Sequence, residues 1–258
     1  MIKKFFSLSL IIFSIFPLFA DAKNIVYKEN FDFGKIESLE ISLTYENLQV
    51  SRIYGDEIVV EIGSNNRKKI PKVFVQDDAL QIMNDNQKAR LGDKCTVYIY
   101  LPQDFHAQGI TIQNVSGNIT ADILQAQNGV VIGNVSGRTD INACQTELLT
   151  VNSVSGNSTL QKVCADYFEL SATSGNIFVE LEQAPQASSM ISNVSGKSQV
   201  YYPKTSDFEI IAFSISGSIK ASDSTQKNAG TNYRTTIGDG GPQLSITSVS
   251  GRIEFVAY

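Results

Sequence analysis

A Ser-Gly step recurs along the chain at a nearly constant spacing, and this repeat restricts the fold more than any other feature. Successive steps are separated by 20, 19, 19, 21, 21 and 34 residues. The seven steps are Ser116-Gly117, Ser136-Gly137, Ser155-Gly156, Ser174-Gly175, Ser195-Gly196, Ser216-Gly217 and Ser250-Gly251. A fixed period of about 20 residues is typical of a solenoid, in which each repeat stacks on the next. The last spacing is one period plus a polar insertion at residues 222–234.

Residue types at fixed positions relative to each glycine predict short strands. The fifth position before the glycine and the fourth position after it are apolar, whereas the first position after it is polar throughout. Alternation of this kind, rich in Val, Ile and Thr, predicts β-strands and argues against helices. The second position before the glycine is also mostly apolar. We therefore expect Val135 and Val154 to be buried, with a bend between this position and the fifth.

These strands predict an all-β fold, a parallel β-helix or β-roll solenoid with coils of about 20 residues. Each coil would contain two short strands joined by a turn, and coils stacked at about 4.8 Å would share one core. Regular repeats begin at about residue 108. Between residues 23 and 107 the alternation persists without the period, which predicts irregular, larger N-terminal coils in a single domain spanning residues 23–258.

The Ser-Gly step itself is predicted to be an architectural corner. Glycine suits a corner that needs positive φ, or one where a Cβ would collide with the neighbouring coil. Serine can bond backbone groups that the corner leaves unpaired, or the serine of the next coil. A nucleophilic serine would need an adjacent base, and His106 is the only histidine in the chain,. We therefore predict no catalytic residues.

The N-terminus predicts export. Lys3 and Lys4 precede an apolar run, and Ala20-Asp21-Ala22 has the small residues of a cleavage site. This pattern predicts a signal peptide at residues 1–22 and a mature chain in the periplasm or at the cell surface. No later apolar stretch is long enough to span a bilayer, so no transmembrane segment is expected after cleavage.

Composition argues against several classes of ligand. The net charge is −5 at pH 7 and there is no run of basic residues, which argues against a nucleic-acid partner,. No multi-histidine or multi-carboxylate motif is present, so we predict no metal site and no cofactor. The segment GDGGP at residues 238–242 carries one carboxylate and precedes a strand, so it is predicted to be a tight turn,.

Three cysteines, Cys95, Cys144 and Cys164, are present. An exported chain can keep a disulfide, and Cys144 with Cys164 is the candidate pair. These two lie 20 residues apart where the coil spacing is 19. They should occupy neighbouring coils with an offset of one residue, which brings them within reach but can aim the side chains apart.

Three motifs together resemble a bacterial exported family called putative adhesin domains, whose function is unknown. The first is LEISLTYENLQVSRIYGDEIVVEI at residues 39–62, the second is the Val-Ser-Gly ladder, and the third is IGDGGPQLSITSVSGRIEF at residues 237–255. Their order spans almost the whole mature chain. The resemblance implies a β-solenoid at the cell envelope and brings no catalytic residues with it.

The sequence thus predicts an exported, non-enzymatic envelope protein whose solenoid is an adhesin-like binding or scaffolding surface. Its partner would be an envelope protein, a glycan or a second copy of the chain. Two alternatives stay open: a polysaccharide-active β-helix enzyme and a self-assembling structural protein. We also expect the seventh coil to leave an open strand edge at the end of the stack, with residues 222–234 forming a mobile loop and not a cap.

Overall fold

The computed structural model describes residues 24–84, 92–221, 225–226 and 231–258. The predicted signal peptide lies outside the described residues. Within them, 22 strands and one short 3-10 helix, Phe33–Lys35, make up the regular structure. The prediction of an all-β solenoid is confirmed.

The strands fall into an N-terminal group, a repeat group and a C-terminal group. The N-terminal strands are β1 (Ile25–Asp32), β2 (Ser38–Leu43), β3 (Asn47–Ile53), β4 (Glu57–Ser64), β5 (Lys72–Gln76), β6 (Ala79–Met83) and β7 (Cys95–Pro102). The repeat strands are β8 (Ala107–Asn114), β9 (Ile119–Ala121), β10 (Leu124–Asn134), β11 (Thr139–Ile141), β12 (Cys144–Ser153), β13 (Ser158–Ser174), β14 (Ile177–Leu181), β15 (Ser189–Ser195) and β16 (Lys197–Tyr202). The C-terminal strands are β17 (Phe208–Ser214), β18 (Ser218–Lys220), β19 (Thr225–Gln226), β20 (Thr231–Ile237), β21 (Gln243–Ser248) and β22 (Arg252–Ala257).

The strands that precede the Ser-Gly steps form what we call the first face. Their spatial order is β5, β6, β2, β8, β10, β12, β13, β15, β21, β17 and β20. Every neighbouring pair is parallel except the first and the last. Parallel pairing places equivalent residues of successive coils in one column, as with Ile112, Ile132 and Val151.

The strands that follow the Ser-Gly steps form the second face. Their order is β1, β4, β7, β3, β9, β11, β13, β14, β16, β22, β18 and β19. The pairs β1–β4, β4–β7 and β18–β19 are antiparallel, and the others are parallel. The irregular N-terminal region therefore adds two parallel layers to the stack, β2 with β3 and then β6 with β7. The antiparallel strands β5, β4 and β1 cover the start of the stack.

The coils of the repeat region have three sides and not the two that the sequence predicted. A short third face links the second face back to the first, and it pairs in parallel through Leu124–Gln125, Cys144–Thr146 and Val163–Ala165. A register shift between Gln125 and Gly129 marks a β-bulge where this face turns into the first,.

The seventh Ser-Gly coil lies inside the stack. Its strands β21 and β22 pair with β15 and β16 on one side, and with β17 and β18 on the other. The prediction that this coil forms an open end is therefore wrong. The sixth coil lies outside it and is itself bordered by β20, which pairs antiparallel with β17.

The insertion at residues 222–234 is only partly a loop. Residues 231–234 belong to β20, so the prediction of a mobile loop is wrong there, because they complete backbone pairing along β17. Residues 222–224 and 227–230 lie outside the described residues. The GDGGP segment is a turn, as predicted, with Gly240 N donating to the carbonyl of Ile237 at 3.0 Å.

One continuous core runs from Ile36 to Phe255. The apolar columns predicted at the fifth position before each glycine and the fourth position after it are buried throughout. The column at the second position before the glycine is not: Val135 is 45% exposed and Val154 is 49% exposed. The prediction that these valines are buried is wrong.

Polar side chains replace the valines on the inside of the corner. The side chains at the fifth and third positions before the glycine both point inward. The third position holds Asn114, Asn134 and Asn193, all buried. The side-chain amide of Asn114 donates to the carbonyl of Glu46 at 2.9 Å, and that of Asn193 donates to the carbonyl of Gly175 at 3.0 Å. Corner backbone groups need such partners when they are buried, which pushes the valine to the outside.

The glycine column is required by the close approach of successive coils. A Cβ built on any of the seven ladder glycines would lie closer than 3.0 Å to a backbone carbonyl oxygen of the adjacent coil, a separation that real Cβ atoms essentially never show. Gly196 alone among the seven has positive φ, at 137°. Steric exclusion by the neighbouring coil, and not φ, therefore explains the column.

We expect Gly156→Ala to destabilise the fold by about 3 kcal/mol or more, because the new methyl group would collide with the carbonyl oxygen of Gly137,. Gly109→Ala is the matched control, since the nearest atom to its Cβ would be 3.9 Å away. Urea denaturation of both variants measures the difference. Equal midpoints would contradict the steric explanation.

We expect Val154→Asp to change the free energy of unfolding by less than about 1 kcal/mol, because its side chain is exposed at the corner,. Val151→Asp, three residues earlier, would place a charge in the core and should cost several kcal/mol,. Thermal or urea melts of the pair distinguish the two columns. A large loss for Val154→Asp would show that the exposed corner is misassigned.

Candidate functional site

The ladder serines lie on the surface and serve the stack. All seven are exposed. The hydroxyl of Ser116 donates to the carbonyl of Thr44 at 3.0 Å, and that of Ser216 donates to the carbonyl of Val249 at 3.0 Å. These bonds join adjacent coils through the backbone, which agrees with the predicted architectural role.

Beside the serines runs an exposed line of branched side chains, which we call the valine ridge. Its members in spatial order are Val115, Val135, Val154, Thr173, Val194, Val249 and Ile215. The six apolar members are between 43% and 50% exposed. The ridge follows the stack axis with one side chain per coil.

Asparagines form a second ladder immediately after the glycines. The Oδ1 atoms of Asn118, Asn157 and Asn176 accept the backbone N–H of the equivalent residue one coil further on, at 2.9–3.0 Å. These amides therefore bond the backbone of the next coil, and their role is to hold the stack together.

A charged cluster occupies the second face near the end of the stack. Glu254 accepts from Lys197 Nζ at 2.5 Å and lies 3.3 Å from Lys220 Nζ. Hydrogen bonding to Lys197 is the main cause that lowers the pKa of Glu254 below its usual value, although burial opposes it. The two lysines neutralise this carboxylate. The cluster is therefore a cross-coil ion pair and not a paired-carboxylate site.

A concavity in the described part of the chain lies on the third face, and we call it the glutamine groove. Its volume is about 600 Å³. It crosses successive coils and is lined mainly by polar side chains. The lining residues are His106, Gln125, Ala126, Gln127, Gln145, Thr146, Glu147, Cys164, Asp166 and Gln183.

A chain of hydrogen bonds orients the groove's first amides. Arg52 Nη1 donates to the carbonyls of Pro102 and Phe105 at 2.6 and 2.8 Å, and Arg52 Nη2 donates to Gln125 Oε1 at 3.0 Å. Gln125 Nε2 then donates to Gln145 Oε1 at 3.1 Å. Gln145 therefore uses its Oε1 atom toward Gln125, and its Nε2 donors take no part in this series. Burial lowers the pKa of Arg52 from its usual value.

The groove also carries the ionisable side chains of the third face. Glu147 and Asp166 follow Gln145 and Cys164 in neighbouring coils, and both are exposed, as is His106 at one end. No ladder serine lines the groove. Among the described residues, no group of three or more His, Cys, Asp and Glu side chains could hold a metal ion.

The three cysteines are free thiols in the structure, and the candidate pair Cys144 and Cys164 is not bonded there. The expected offset of one residue is present, because Cys144 is opposite Val163 and Cys164 is opposite Gln145. Successive residues of a strand point to opposite sides, which places Cys144 in the core and Cys164 in the groove,. Burial raises the pKa of Cys95 and of Cys144 to about 12.

We expect iodoacetamide at pH 8 to alkylate Cys164 first, since its side chain reaches solvent in the groove. Cys95 and Cys144 should react only after unfolding, because a thiol whose pKa is about 12 is almost entirely protonated at pH 8 and both are buried,. Peptide mass spectrometry with and without urea checks this. Equal labelling of Cys144 and Cys164 in the folded protein would contradict the register.

Sequence reasoning missed the groove and the first corner. The groove residues lie between the second and first faces, where the bulge breaks the period. The first corner is Thr44-Tyr45-Glu46, which pairs with Val115-Ser116-Gly117 although it has no Ser-Gly step. The buried Glu46 carboxylate accepts the backbone N–H of Thr44 and Tyr45 at 2.9 and 3.0 Å. Asn47, aligned with Asn118, was the signal available in the sequence.

Comparison with known proteins gives one family match. The family model described as Toastrack DUF4097 matches residues 36–188, which is more than half of the chain. The match includes the whole first sequence motif and the first four Ser-Gly steps, and it confirms the resemblance drawn from them. No curated protein matches the sequence.

Several solved structures are similar to this chain over most of its length. A putative cell adhesion protein from Clostridium sporogenes has 14% identity and a TM-score of 0.43, with 90% of this chain and 99% of that chain covered. A putative adhesin from Bacteroides fragilis has 15% identity and a TM-score of 0.48, with 89% and 96% covered. A putative lipid binding protein from Parabacteroides distasonis has 11% identity and a TM-score of 0.46, with 89% and 96% covered. Similarity at this level carries no argument about function.

Across the described residues, no helix has the length and apolar character needed to cross a membrane.

Proposed function

The chain belongs to the Toastrack DUF4097 family, and we propose that it is an exported, non-enzymatic envelope protein that binds a glycan in the glutamine groove. The observation that carries this proposal is the groove itself, about 600 Å³ in volume and lined by Gln125 and Gln145, which a hydrogen-bonded series from Arg52 orients.

The groove's chemistry favours a hydroxyl-rich ligand. Gln127, Gln145 and Gln183 present side-chain amides that both donate and accept, as sugar hydroxyls do,. Sites for apolar small molecules are lined mainly by hydrophobic and aromatic side chains, and no Phe, Tyr or Trp lines the groove,. Its length across several coils suits an extended chain with a repeating unit.

The groove is also separate from the serine and asparagine ladders that hold the stack together. Ladder side chains bond adjacent coils through the hydroxyl of Ser116 and the Oδ1 atoms of Asn157 and Asn176. Glu147, Asp166 and Gln127 lie at the surface of the third face, outside the Ser-Gly corner. A ligand can therefore bond them without competing with the contacts that stabilise the solenoid.

The alternative of a polysaccharide-active enzyme has weaker support. Glu147 and Asp166 lie side by side on one wall, and both are exposed to water. Glycoside hydrolysis needs two carboxyl groups that flank the scissile bond, and a general acid of this kind is usually made by burial against apolar groups. The groove offers neither arrangement.

We expect Gln145→Ala to weaken glycan binding at least tenfold, because it removes a donor fixed by the hydrogen-bond series. Asn152→Ala in the same strand is the matched control, since this side chain lies outside the groove on the first face. A glycan array identifies the ligand and titration calorimetry measures both variants. Equal losses for the two variants, or no glycan bound by the folded protein, would contradict the groove as the site.

Release of reducing ends from a bound glycan by purified protein would instead favour the enzyme.

Export is tested separately by N-terminal sequencing of the cellular protein, where Lys23 is the expected first residue,. A cytoplasmic pool that retains Met1 would contradict export and leave the binding site to be tested alone.

A further inference from the structure

The position of the seventh coil points to an interaction with a second copy of the chain. We call β21 and β22 the inserted coil, because sequence order would place them beyond the sixth coil. They lie between the fifth coil, β15 and β16, and the sixth, β17 and β18. The space between the fifth and sixth coils is thus a slot that accepts a pair of strands.

The fifth and the sixth coil both pair with the inserted coil as parallel β-strands. The register pairs it with five residues of β15, six of β16, six of β17 and three of β18. Leu244, Ile246, Ile253 and Phe255 complete the core there. Backbone pairing supplies affinity and the alternate apolar side chains supply register, as in other cases where a strand is added to a sheet.

One short connection leads into the slot. Residues 238–242 pass from β20 over the beginning of β17, and Asp239 N donates to Asp207 Oδ1 at 2.8 Å. Gly238, Gly240 and Gly241 have φ of 57°, 81° and 144°. These glycines can adopt other φ and ψ angles at little steric cost, because they have no Cβ.

We propose that the slot is a binding site for the inserted coil of a second copy, so that two chains assemble by exchanging residues 243–257. Every contact in the slot is the same whether the coil comes from its own chain or from the other. A dimer formed by exchange therefore uses the same contacts as the monomer. Its only added cost is that of bringing two chains together. A short connection across a neighbouring strand is the kind of hinge at which such exchange occurs.

A pair of engineered cysteines distinguishes exchange from its absence. Ser192 and Thr247 are register partners on β15 and the inserted coil, with hydroxyl oxygens 3.4 Å apart. Neighbouring parallel strands are about 4.8 Å apart, which is within disulfide range. In a Cys164→Ser background, Ser192→Cys with Thr247→Cys should cross-link within one chain in a monomer and between chains in an exchanged dimer.

The control pair is Asn152→Cys with Ser171→Cys in the same background. These residues are register partners on β12 and β13, on the outer side of the same face, with side-chain oxygens 2.6 Å apart. Their coils follow in sequence order, so their cross-link should stay within one chain. Both variants are incubated just below the unfolding temperature, cooled, oxidised and separated by non-reducing electrophoresis.

We expect covalent dimers for the Ser192–Thr247 pair only. In the dilute range their fraction should rise about tenfold for a tenfold rise in concentration, as mass action requires. Native mass spectrometry of two differently tagged, otherwise unsubstituted chains should show mixed dimers, which keeps the test valid if a cysteine variant fails to fold. Cross-linking within single chains at every concentration, or mixed dimers whose slot cysteines join only within one chain, would overturn the proposal.

Discussion

The close contact between successive glycine corners is the constraint on which the rest of the structure depends. Each ladder glycine lies against the backbone carbonyl of the equivalent corner in the adjacent coil, with no room for a Cβ. This approach lets hydrogen bonding continue around the corner, for example from Ser136 N to the carbonyl of Val115 at 2.8 Å. The parallel ladders of the first and second faces are therefore joined without a break, and the repeat length follows from the distance around one coil.

The same contact decides which side chains lie inside the corner. Buried carbonyl and N–H groups around the glycine need partners, and short polar side chains provide them. Ser214 and Ser248 accept the N–H of Gly217 and Gly251 at 2.9 Å each. Asn114 accepts the N–H of Gly117 at 3.3 Å and also donates to the carbonyl of Glu46 in the adjacent coil. Asn134 and Asn193 donate to the carbonyl of the adjacent coil, and their Oδ1 atoms are left without a partner in the structure. An unpaired Oδ1 atom costs free energy, but the Nδ2 group of the same amide bonds the adjacent coil and offsets that cost.

The ladder columns of the solenoid stabilise the stack, and the third face carries the proposed binding site. Serine and asparagine columns on the first and second faces bond successive coils, and Glu254 bridges Lys197 and Lys220 across coils. The third face has amides and carboxylates with a cavity in front of them. In the proposed function this face carries the ligand, while the inserted coil gives the same molecule a means of self-association.

Sequence alone determined the all-β class, the coil period and the inward columns on both sides of the corner, because period and alternation are local properties of the chain. It also placed Cys144 and Cys164 in neighbouring coils with the correct offset. Three features depended on tertiary structure. The valines lie outside because buried backbone at the corner selects Asn and Ser within, which hydrophobicity cannot show. The groove arises where a bulge turns the third face, outside the repeat pattern. The order of the last two coils is set by which strand edges are already paired, and their sequences carry the same apolar pattern in either order.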